Sequence, residues 1–471
     1  MLEILVLAHK LAVIQETAGE ALRCLAKRIR REAAERVRIG TLLRVPCRYG
    51  VYRTEELSWA QGLSPRVQQR FEELSREEWD LASFMGEIQH WDEYRRALDA
   101  SKKAWVREYD MSCGFLRFSL IMFQKALDDP VRGRVVHGNL IRVYLAELQG
   151  RPVRCTTETL LEGLGVPAQT IEWRHAGNHM LLRRIEPLDM DREFRLDPVW
   201  LLLDSPCSSH TPSAVLQITG EAHDSNEARM RVWKAMCILK LFRLGSIEYT
   251  TSHFKETAFV NDVGGWGQDF GTHVFRGPFQ YELVPESGPS LARFWRMIWD
   301  RIPQGFFWRQ LPDDPGALVL AYERYCDALR QDALVSRRIA NAVMGLEALF
   351  LDGGAELSFK LRMRVAALLG PLSEKPDRIC KVMKTAYASR SSFVHGEIPR
   401  SGTAKASGDA ENARLVCECL RLSILLRLVS EESKKQMVDL LDASLVDDVK
   451  RRDLHGKVKR WERSLALKAC L

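Results

Sequence analysis

The sequence predicts an α+β protein, in which a mixed α/β N-terminal region precedes an all-helical bundle and a basic C-terminal helix. Short runs of β-branched residues, separated by turn-forming residues, indicate strands within residues 1–300. From Asp314 onward, apolar residues recur at helical spacing. The last segment is dense in lysine and arginine. We therefore divide the chain into 1–300, 314–430 and 439–471, and expect an internal boundary of the first region near 110–130.

The composition is typical of a globular protein with more than one domain. A chain of 471 residues is too long for one ordinary hydrophobic core, and its apolar (46%) and charged (28%) fractions exclude a disordered chain. It contains no run of about 18 apolar residues, so no membrane span is predicted. Met1–Leu11 lacks a signal-peptide cleavage site, and the 11 cysteines form no Cys-x-x-Cys pair. We therefore expect a cytoplasmic protein with reduced thiols, no metal site and no cofactor.

Helical and strand patterns alternate in the N-terminal region. Helical spacing of apolar residues predicts helices at Leu11–Val37, Pro65–Leu74, Trp91–Val106 and Asn226–Leu244. β-Branched residues predict strands at Arg134–Leu148, Val153–Thr157, Met180–Ile185, Val215–Thr219, Ile247–Phe254 and His273–Val284. Turn-forming residues predict turns or loops at Ala176–Asn178, Asp204–Ser213 and the glycine-rich stretch from Gly264 to Gly271.

Four amphipathic helices define the C-terminal bundle. Their apolar positions span Val335–Phe350, Phe359–Leu369, Ile379–Tyr387 and Leu415–Val429. Gly353–Gly354 and Gly370–Pro371 end the first two of these helices. The compositionally weak stretch Ser401–Gly408 predicts a mobile loop, and the tail from Asp439 predicts one amphipathic helix interrupted at Gly456. Short links between such helices favour an antiparallel bundle.

Positive charge is concentrated in two segments. Lys450–Lys468 carries eight basic residues against two acidic ones, a local charge of +6, and Arg23–Arg38 carries seven against two, a local +5. The whole chain is only +7, so the remainder is close to neutral. Clustered cations suit a polyanion, since neutralising phosphates releases counterions. Solvated helix faces would give the same pattern, so charge alone leaves both interpretations open.

Arg390 and His395 form the constellation that best fits a chemical step. An imidazole titrates near neutrality and can move protons to or from a 2′-hydroxyl or a leaving oxygen. A guanidinium stays charged and can hold a phosphate in a bidentate fork. Within a continuous helix the two side chains would lie about 140° apart. We therefore expect the helix to loosen or end between them, with its end near Gly396 and Pro399.

The spacing of these two residues is weak evidence on its own. The same separation relates Arg132 to His137 and Arg174 to His179. The first of those pairs falls in a strand-like run and the second crosses a predicted turn. Only the third pair belongs to a helical bundle, at a predicted helix end, so its context distinguishes it.

This C-terminal context resembles the HEPN superfamily, and within it the branch of ApeA-like defence proteins. The resemblance covers roughly Leu318–Val429. Its landmarks are Met344–Phe350, the helix Ser358–Leu369 with its two arginines, and the run Arg390–Gly396. Many HEPN nucleases have Asn, Asp or His directly after the arginine, whereas this chain has Ser391.

The resemblance implies a metal-independent endoribonuclease that acts in phage defence or abortive infection. Carried over to this chain, Arg390 and His395 would be the catalytic pair, and Ser391 would bind the phosphate of the RNA substrate. The motifs of two chains would meet across a homodimer interface formed by the bundle. Residues 1–300 would sense a regulatory partner or phage trigger, or bind substrate. The alternatives are a non-catalytic module that binds nucleotide or RNA or forms a scaffold, and the toxin of a toxin–antitoxin pair.

Other motifs favour structural roles. His175 and His179 have the spacing of a helical zinc pair, but the glycine between them indicates a turn. The glycine-rich loop lacks the lysine and hydroxyl of a phosphate-binding P-loop. Glu347 either supports the site or forms a surface ion pair. The remaining candidates are predicted to pack as apolar groups, and they are Cys417, Cys419 and the aromatic cluster of Trp299, Phe306, Phe307 and Trp308.

Overall fold

The computed structural model describes residues 2–38, 87–104, 115, 118–119, 122, 133–167, 169–185, 213–223, 225–254, 279, 281–307, 316–330, 334–353, 355–372, 376–396 and 403–465. Several predictions therefore lie outside the described residues. These are the helix at Pro65–Leu74, the turn-rich stretch from Asp204 up to residue 212, the glycine-rich loop and the position of Trp308. Among the helices that the structure describes, none has the length and hydropathy needed to cross a bilayer.

The described N-terminal residues include the helices α1 (Leu2–Arg38), α2 (Asp92–Ala104) and α3 (Gly133–Leu148). The first two confirm predicted helices. The prediction of a strand at Arg134–Leu148 is wrong, because that segment is α3. Its buried residues Leu140, Tyr144 and Leu148 recur every four positions and join the core that α1 and α2 build. Packing of this face against α1 outweighs the β preference of its valines.

A five-stranded antiparallel sheet follows, in the order β3-β4-β5-β1-β6. Its strands are β1 (Val153–Glu162), β3 (Ile171–His175), β4 (Asn178–Arg184), β5 (Ala214–Ala222) and β6 (Glu248–Phe254). The strands predicted within β1, β4, β5 and β6 are confirmed. Two short parallel strands, β2 (Leu164–Gly165) and β7 (Tyr281–Glu282), form a separate pair. Within the described residues, only β7 lies in the predicted strand His273–Val284.

One face of the sheet packs on α4 (Ser225–Phe242) and α5 (Ser287–Ile298). Trp173 of the sheet meets Trp295 of α5 edge-on at 5.0 Å, and Trp295 stacks on Trp299. Phe306 then stacks on Tyr322 of the following helix at 4.1 Å. The packing role predicted for Trp299 and Phe306 is confirmed, and one continuous hydrophobic core runs from the sheet into the helical part.

The helical part contains α6 (Gly316–Leu329), α7 (Val335–Phe350), α8 (Leu357–Leu369), α9 (Pro376–Val394) and α10 (Thr403–Val429). The four predicted helices are confirmed as α7 to α10, and Cys417 and Cys419 of α10 are buried as predicted. The predicted loop Ser401–Gly408 is wrong over most of its length, because α10 begins at Thr403. Ala404 and Ala406 are strong helix formers that extend the helix through the polar stretch.

The C-terminal segment consists of two helices, α11 (Lys434–Val446) and α12 (Asp448–Leu465). The predicted interruption at Gly456 is wrong, since α12 runs through it. The break falls at Asp447, whose carboxylate accepts a hydrogen bond from the Val449 N–H at 2.7 Å. Such a bond stabilises a helix start, while Gly456 faces open space and costs α12 only about 1 kcal/mol. The amphipathic pattern is confirmed within α12, where Leu454, Val458 and Leu465 are buried, but Val446 and Val449, which the same pattern predicted to be buried, are exposed.

Candidate functional site

The end of α9 carries the sequence-predicted site residues. Arg390 and Ser391 lie within the helix, and His395 follows its last residue directly. The His395 N–H still donates to the Ser391 carbonyl at 3.0 Å. Gly396 then takes a φ of 75°, which favours glycine and ends the helix. The predicted end at Gly396 is confirmed, but the predicted loosening between Arg390 and His395 is wrong because helical hydrogen bonding continues to His395.

The continuous helix directs the two side chains differently. Five residues correspond to a rotation of about 140° around the helix axis. Arg390 reaches α7, where its Nη2 atom lies 3.3 Å from Oε2 of Glu347. His395 is exposed. Arg390 and His395 therefore lie on different faces of the same helix end.

Arg390 is held loosely for a half-buried arginine. Its ion pair with Glu347 is long, and the two side chains remain 25% and 18% exposed. The ring of Tyr387 lies 5.9 Å from the guanidinium carbon. The Nε atom of Arg390 is buried without a hydrogen-bond partner in the described part of the chain. A guanidinium has five N–H donors, and in the described part of the chain Arg390 forms a hydrogen bond only with Glu347.

Glu347 lies in surroundings that disfavour its charge. Burial raises the pKa of the Glu347 carboxyl, although the charge of Arg390 acts in the opposite direction. Burial also raises the pKa of Tyr387, and the nearby Glu347 adds to that increase. The cost of burying the carboxylate therefore exceeds the stabilisation that Arg390 gives it. Glu347 accepts one hydrogen bond from Arg390 and leaves the buried Nε without a partner among the described residues.

A serine and two large apolar residues precede His395 at the end of α9. Ser391 is half-buried and lies one helical turn before it. Phe393 and Val394 are 37% and 54% exposed, respectively. Two large apolar side chains next to an exposed imidazole are unusual on a surface that faces only water.

The basic helix α12 presents much of its charge to solvent but also pairs part of it internally. Lys457 bonds Glu432 at 2.8 Å, and Lys459 bonds Glu462 at 2.9 Å. Lys450 and Arg460 are exposed, and neither side chain forms an ion pair within the described residues. At the other end of the chain, Arg28 pairs with Glu93 at 2.6 Å and lies over Trp91.

The two histidines considered for zinc do not lie on a helix. His175 ends β3 and His179 lies in β4, on either side of the tight turn at Ala176–Gly177. His179 contacts Glu172 at 2.6 Å, and Nε2 of His175 lies 3.9 Å from Asp300. No group of three or more His, Cys, Asp or Glu side chains that could hold a metal ion occurs in the part of the chain that the structure describes.

The same turn borders a cleft that sequence reasoning missed. It has a volume of about 460 Å³, and its lining includes Arg154 and Arg174. Arg174 and His179 lie directly opposite each other in the β3–β4 ladder. The Arg174–His179 pair was visible in the sequence as a chance match, but only the strand register makes the two residues neighbours. Nothing in the sequence places Arg154 beside them.

Comparison of this chain with protein-family models, with curated proteins and with solved structures finds no match.

Proposed function

We propose that this protein is an endoribonuclease that cleaves RNA without a metal ion, with Arg390 binding the scissile phosphate and His395 transferring protons. The observation that carries the proposal is the state of Arg390. Its guanidinium is oriented by a single long contact with Glu347 and keeps a buried Nε with no partner among the described residues. A guanidinium with donors left free of described protein partners, on the same helix end as an exposed imidazole, suits a phosphodiester.

The proposed reaction is an internal transesterification. The 2′-oxygen forms a bond to phosphorus while the bond from phosphorus to the 5′-oxygen breaks. The neutral imidazole of His395 accepts the 2′ proton, and the imidazolium so formed donates it to the leaving 5′-oxygen. The guanidinium stabilises the negative charge that develops on the phosphorane. Ser391 adds a hydroxyl that can donate to a phosphate oxygen.

The proposal requires two copies of the chain. Arg390 and His395 diverge by about 140° on one helix, so the arginine of one copy would act with the histidine of the other. The exposed Phe393 and Val394 would then lie at the contact between the two α9 ends.

End-group analysis tests the mechanism. The purified protein is incubated with RNA in the presence and absence of EDTA. We expect 2′,3′-cyclic phosphate and 5′-hydroxyl ends, an unchanged rate in EDTA, and no cleavage 3′ to a deoxynucleotide. Products with 5′-phosphate ends, or a rate abolished by EDTA, would contradict the mechanism.

Mixing two inactive variants tests the shared site. A mixture of Arg390→Ala and His395→Ala chains forms dimers in which one site combines an intact arginine with an intact histidine. We expect the mixture to regain a fraction of parental cleavage, while each variant alone stays inactive. No recovery, under conditions where subunit exchange is confirmed by mass, would place both residues in the site of one chain.

In the cell, such an activity would suit an effector of phage defence or abortive infection, with the N-terminal region responding to a regulatory partner or a phage trigger. Growth arrest on expression alone would instead favour a toxin whose partner is absent.

The Arg390–Glu347 contact favours the alternative of a non-catalytic RNA- or nucleotide-binding module, because the contact occupies part of the guanidinium in the single chain. That alternative predicts RNA binding without cleavage.

A further inference from the structure

A basic cleft lies on the five-stranded sheet. Its residues precede those of the proposed nuclease site in the sequence. Its wall contains two arginines, two histidines and an asparagine, and its remaining members are small. The lining residues are Arg154, Arg174, His175, Ala176, Gly177, Asn178 and His179. The volume of about 460 Å³ is within the range of small-molecule sites. No carboxylate belongs to this lining.

The sheet register brings the basic residues onto one face. Arg174 is opposite His179, His179 is opposite Thr219, and Thr219 is opposite Thr156. Directly opposed residues share a face, and Arg154 shares it as well because it is two positions from Thr156. The hydroxyl groups of Thr156 and Thr219 are hydrogen-bonded at 2.8 Å on this face.

The two guanidinium groups are available to a ligand. Arg154 and Arg174 are exposed, and within the described residues neither forms an ion pair or a side-chain hydrogen bond. Glu221 lies opposite Arg154 in the ladder but does not pair with it. The other two arginines of the five-stranded sheet bond backbone carbonyls, Arg183 that of Arg184 and Arg184 that of Val166.

A hydrogen bond and close packing hold the turn that frames the cleft. The amide of Asn178 donates to the Ala176 carbonyl at 3.1 Å, and Asn178 is buried. A Cβ at Gly220 would lie 2.1 Å from Oδ1 of Asn178, so glycine is required for this close approach. His175 packs edge-on against Trp299. These contacts fix the floor of the cleft, while the two arginine side chains remain free to close on a ligand.

We propose that this cleft binds a small phosphoanion with at least two phosphoryl groups, held between Arg154 and Arg174. The order β3-β4-β5-β1 separates the strands of the two arginines by three strand spacings, about 14 Å. Two long side chains reaching inward from that separation suit a diphosphate better than a single phosphate. Guanidinium groups bind phosphate through paired, charge-assisted hydrogen bonds. The proposal does not depend on the nuclease activity.

Titration calorimetry on the full-length chain at low ionic strength tests this assignment. One arm uses inorganic pyrophosphate, and a second uses ADP, which adds a nucleoside to the same phosphates. We expect both probes to bind the parent and to raise its melting temperature. Tighter binding of ADP would identify a nucleotide as the ligand type, and equal binding would identify the diphosphate itself as the recognised group.

Variants of Arg154 and Arg174 test whether the two probes bind in this cleft. In Arg154→Gln/Arg174→Gln, we expect affinity for both probes to fall at least about tenfold, because charge-assisted bonds are lost. The matched control Arg95→Gln/Arg293→Gln removes the same charge from two exposed arginines of α2 and α5 and should bind like the parent. Because all four residues are exposed, the variants should keep the parental circular dichroism.

Three results would overturn the proposal. They are no binding of either probe to the parent, unchanged affinity in Arg154→Gln/Arg174→Gln, and an equal loss in the control pair. If the parent binds a short single-stranded RNA through these two arginines but binds neither probe, the cleft is an RNA contact and the small-ligand assignment is wrong.

Discussion

Arg421, at the centre of the helical bundle, and Arg390, at the end of α9, differ in how many of their N–H donors form hydrogen bonds. Arg421 is fully buried and donates to the carbonyls of Leu241 and Phe242 at 2.6 and 2.9 Å, as well as to Glu418. Leu241 and Phe242 are the last residues of α4, so this cation neutralises a helix C-terminus from a distant helix. Arg390 has one contact of 3.3 Å and an unpartnered Nε within the described residues.

Arg364 repeats the pattern of Arg421. It forms a bidentate pair with Asp442 at 2.7 and 2.6 Å and also bonds the Phe350 carbonyl, which joins α7, α8 and α11. A saturated guanidinium stabilises the fold because each of its donors replaces a lost water contact. A guanidinium with unused donors at an accessible helix end retains capacity for a ligand. The difference in hydrogen bonding therefore distinguishes Arg364 and Arg421, which stabilise the fold, from the candidate catalytic residue Arg390.

The largest expected effect is loss of catalysis at the end of α9. Arg390→Ala and His395→Ala should each lower RNA cleavage by at least about 100-fold, since one removes charge stabilisation and the other removes proton transfer. Both variants should melt within a few degrees of the parent. Arg378→Ala and His90→Ala serve as controls, because they remove the same residue types from exposed positions. Parental cleavage by either site variant would show that the pair is not catalytic.

The second prediction tests whether the buried Arg421 stabilises the fold. Arg421→Met keeps an apolar side chain but leaves Glu418 and two helix carbonyls without their cation. We expect a loss of about 3–5 kcal/mol in the free energy of unfolding, measured by urea denaturation. Arg414→Met, on the exposed side of the same helix, should change stability by no more than about 0.5 kcal/mol. Equal stability of the two variants would contradict the distinction between saturated and unsaturated arginines.

A smaller effect concerns α12 as an RNA-holding element. Lys450→Glu/Arg460→Glu reverses two exposed cations, and RNA binding is measured against salt concentration in the His395→Ala background. If both residues contact phosphates, the slope of log K against log salt should fall by about two. Lys102→Glu/Lys103→Glu on α2 is the charge-matched control. An unchanged slope in the α12 variant would assign its charge to a solvated face.

The smallest effect is a pH-dependent change at Glu347. Burial raises the pKa of this carboxyl in the folded state, so its ionisation opposes folding once the pH rises through that pKa. Glu347→Gln should therefore match the parent in melting temperature near pH 4. At pH 7 it should be slightly more stable, by less than about 1 kcal/mol. A variant less stable than the parent at pH 7 would show that the ion pair with Arg390 outweighs burial.

The sequence predicted the elements whose pattern is local. The helices α7 to α10 follow from apolar residues at spacings of three and four, and β4 and β5 follow from short β-branched runs. The helix end at Gly396 was predictable because glycine accepts the left-handed conformation without strain. Arg390 and His395 could be selected as candidates because side-chain chemistry is readable from residue type.

Errors in the prediction occurred where distant contacts overrule a local preference. The segment that became α3 has enough valines for a strand, yet its Leu140, Tyr144 and Leu148 complete a helical core with α1. In the tail, Gly456 was an expected break, but the helix tolerates it because Leu454 and Val458 on the same turns are buried. Burial of a helical face is worth more than the cost of one glycine.

By itself, then, the sequence determined the fold class, the bundle helices and the chemical types at the end of α9. Only the tertiary structure decided that Arg390 pairs with Glu347, and that Arg154 and Arg174 share a cleft. The physical reason is the separation along the sequence between the residues that interact. Periodicity reflects neighbours within a few residues, whereas strand order and register are set by long-range packing, and a one-residue shift would move a side chain to the opposite face of the sheet.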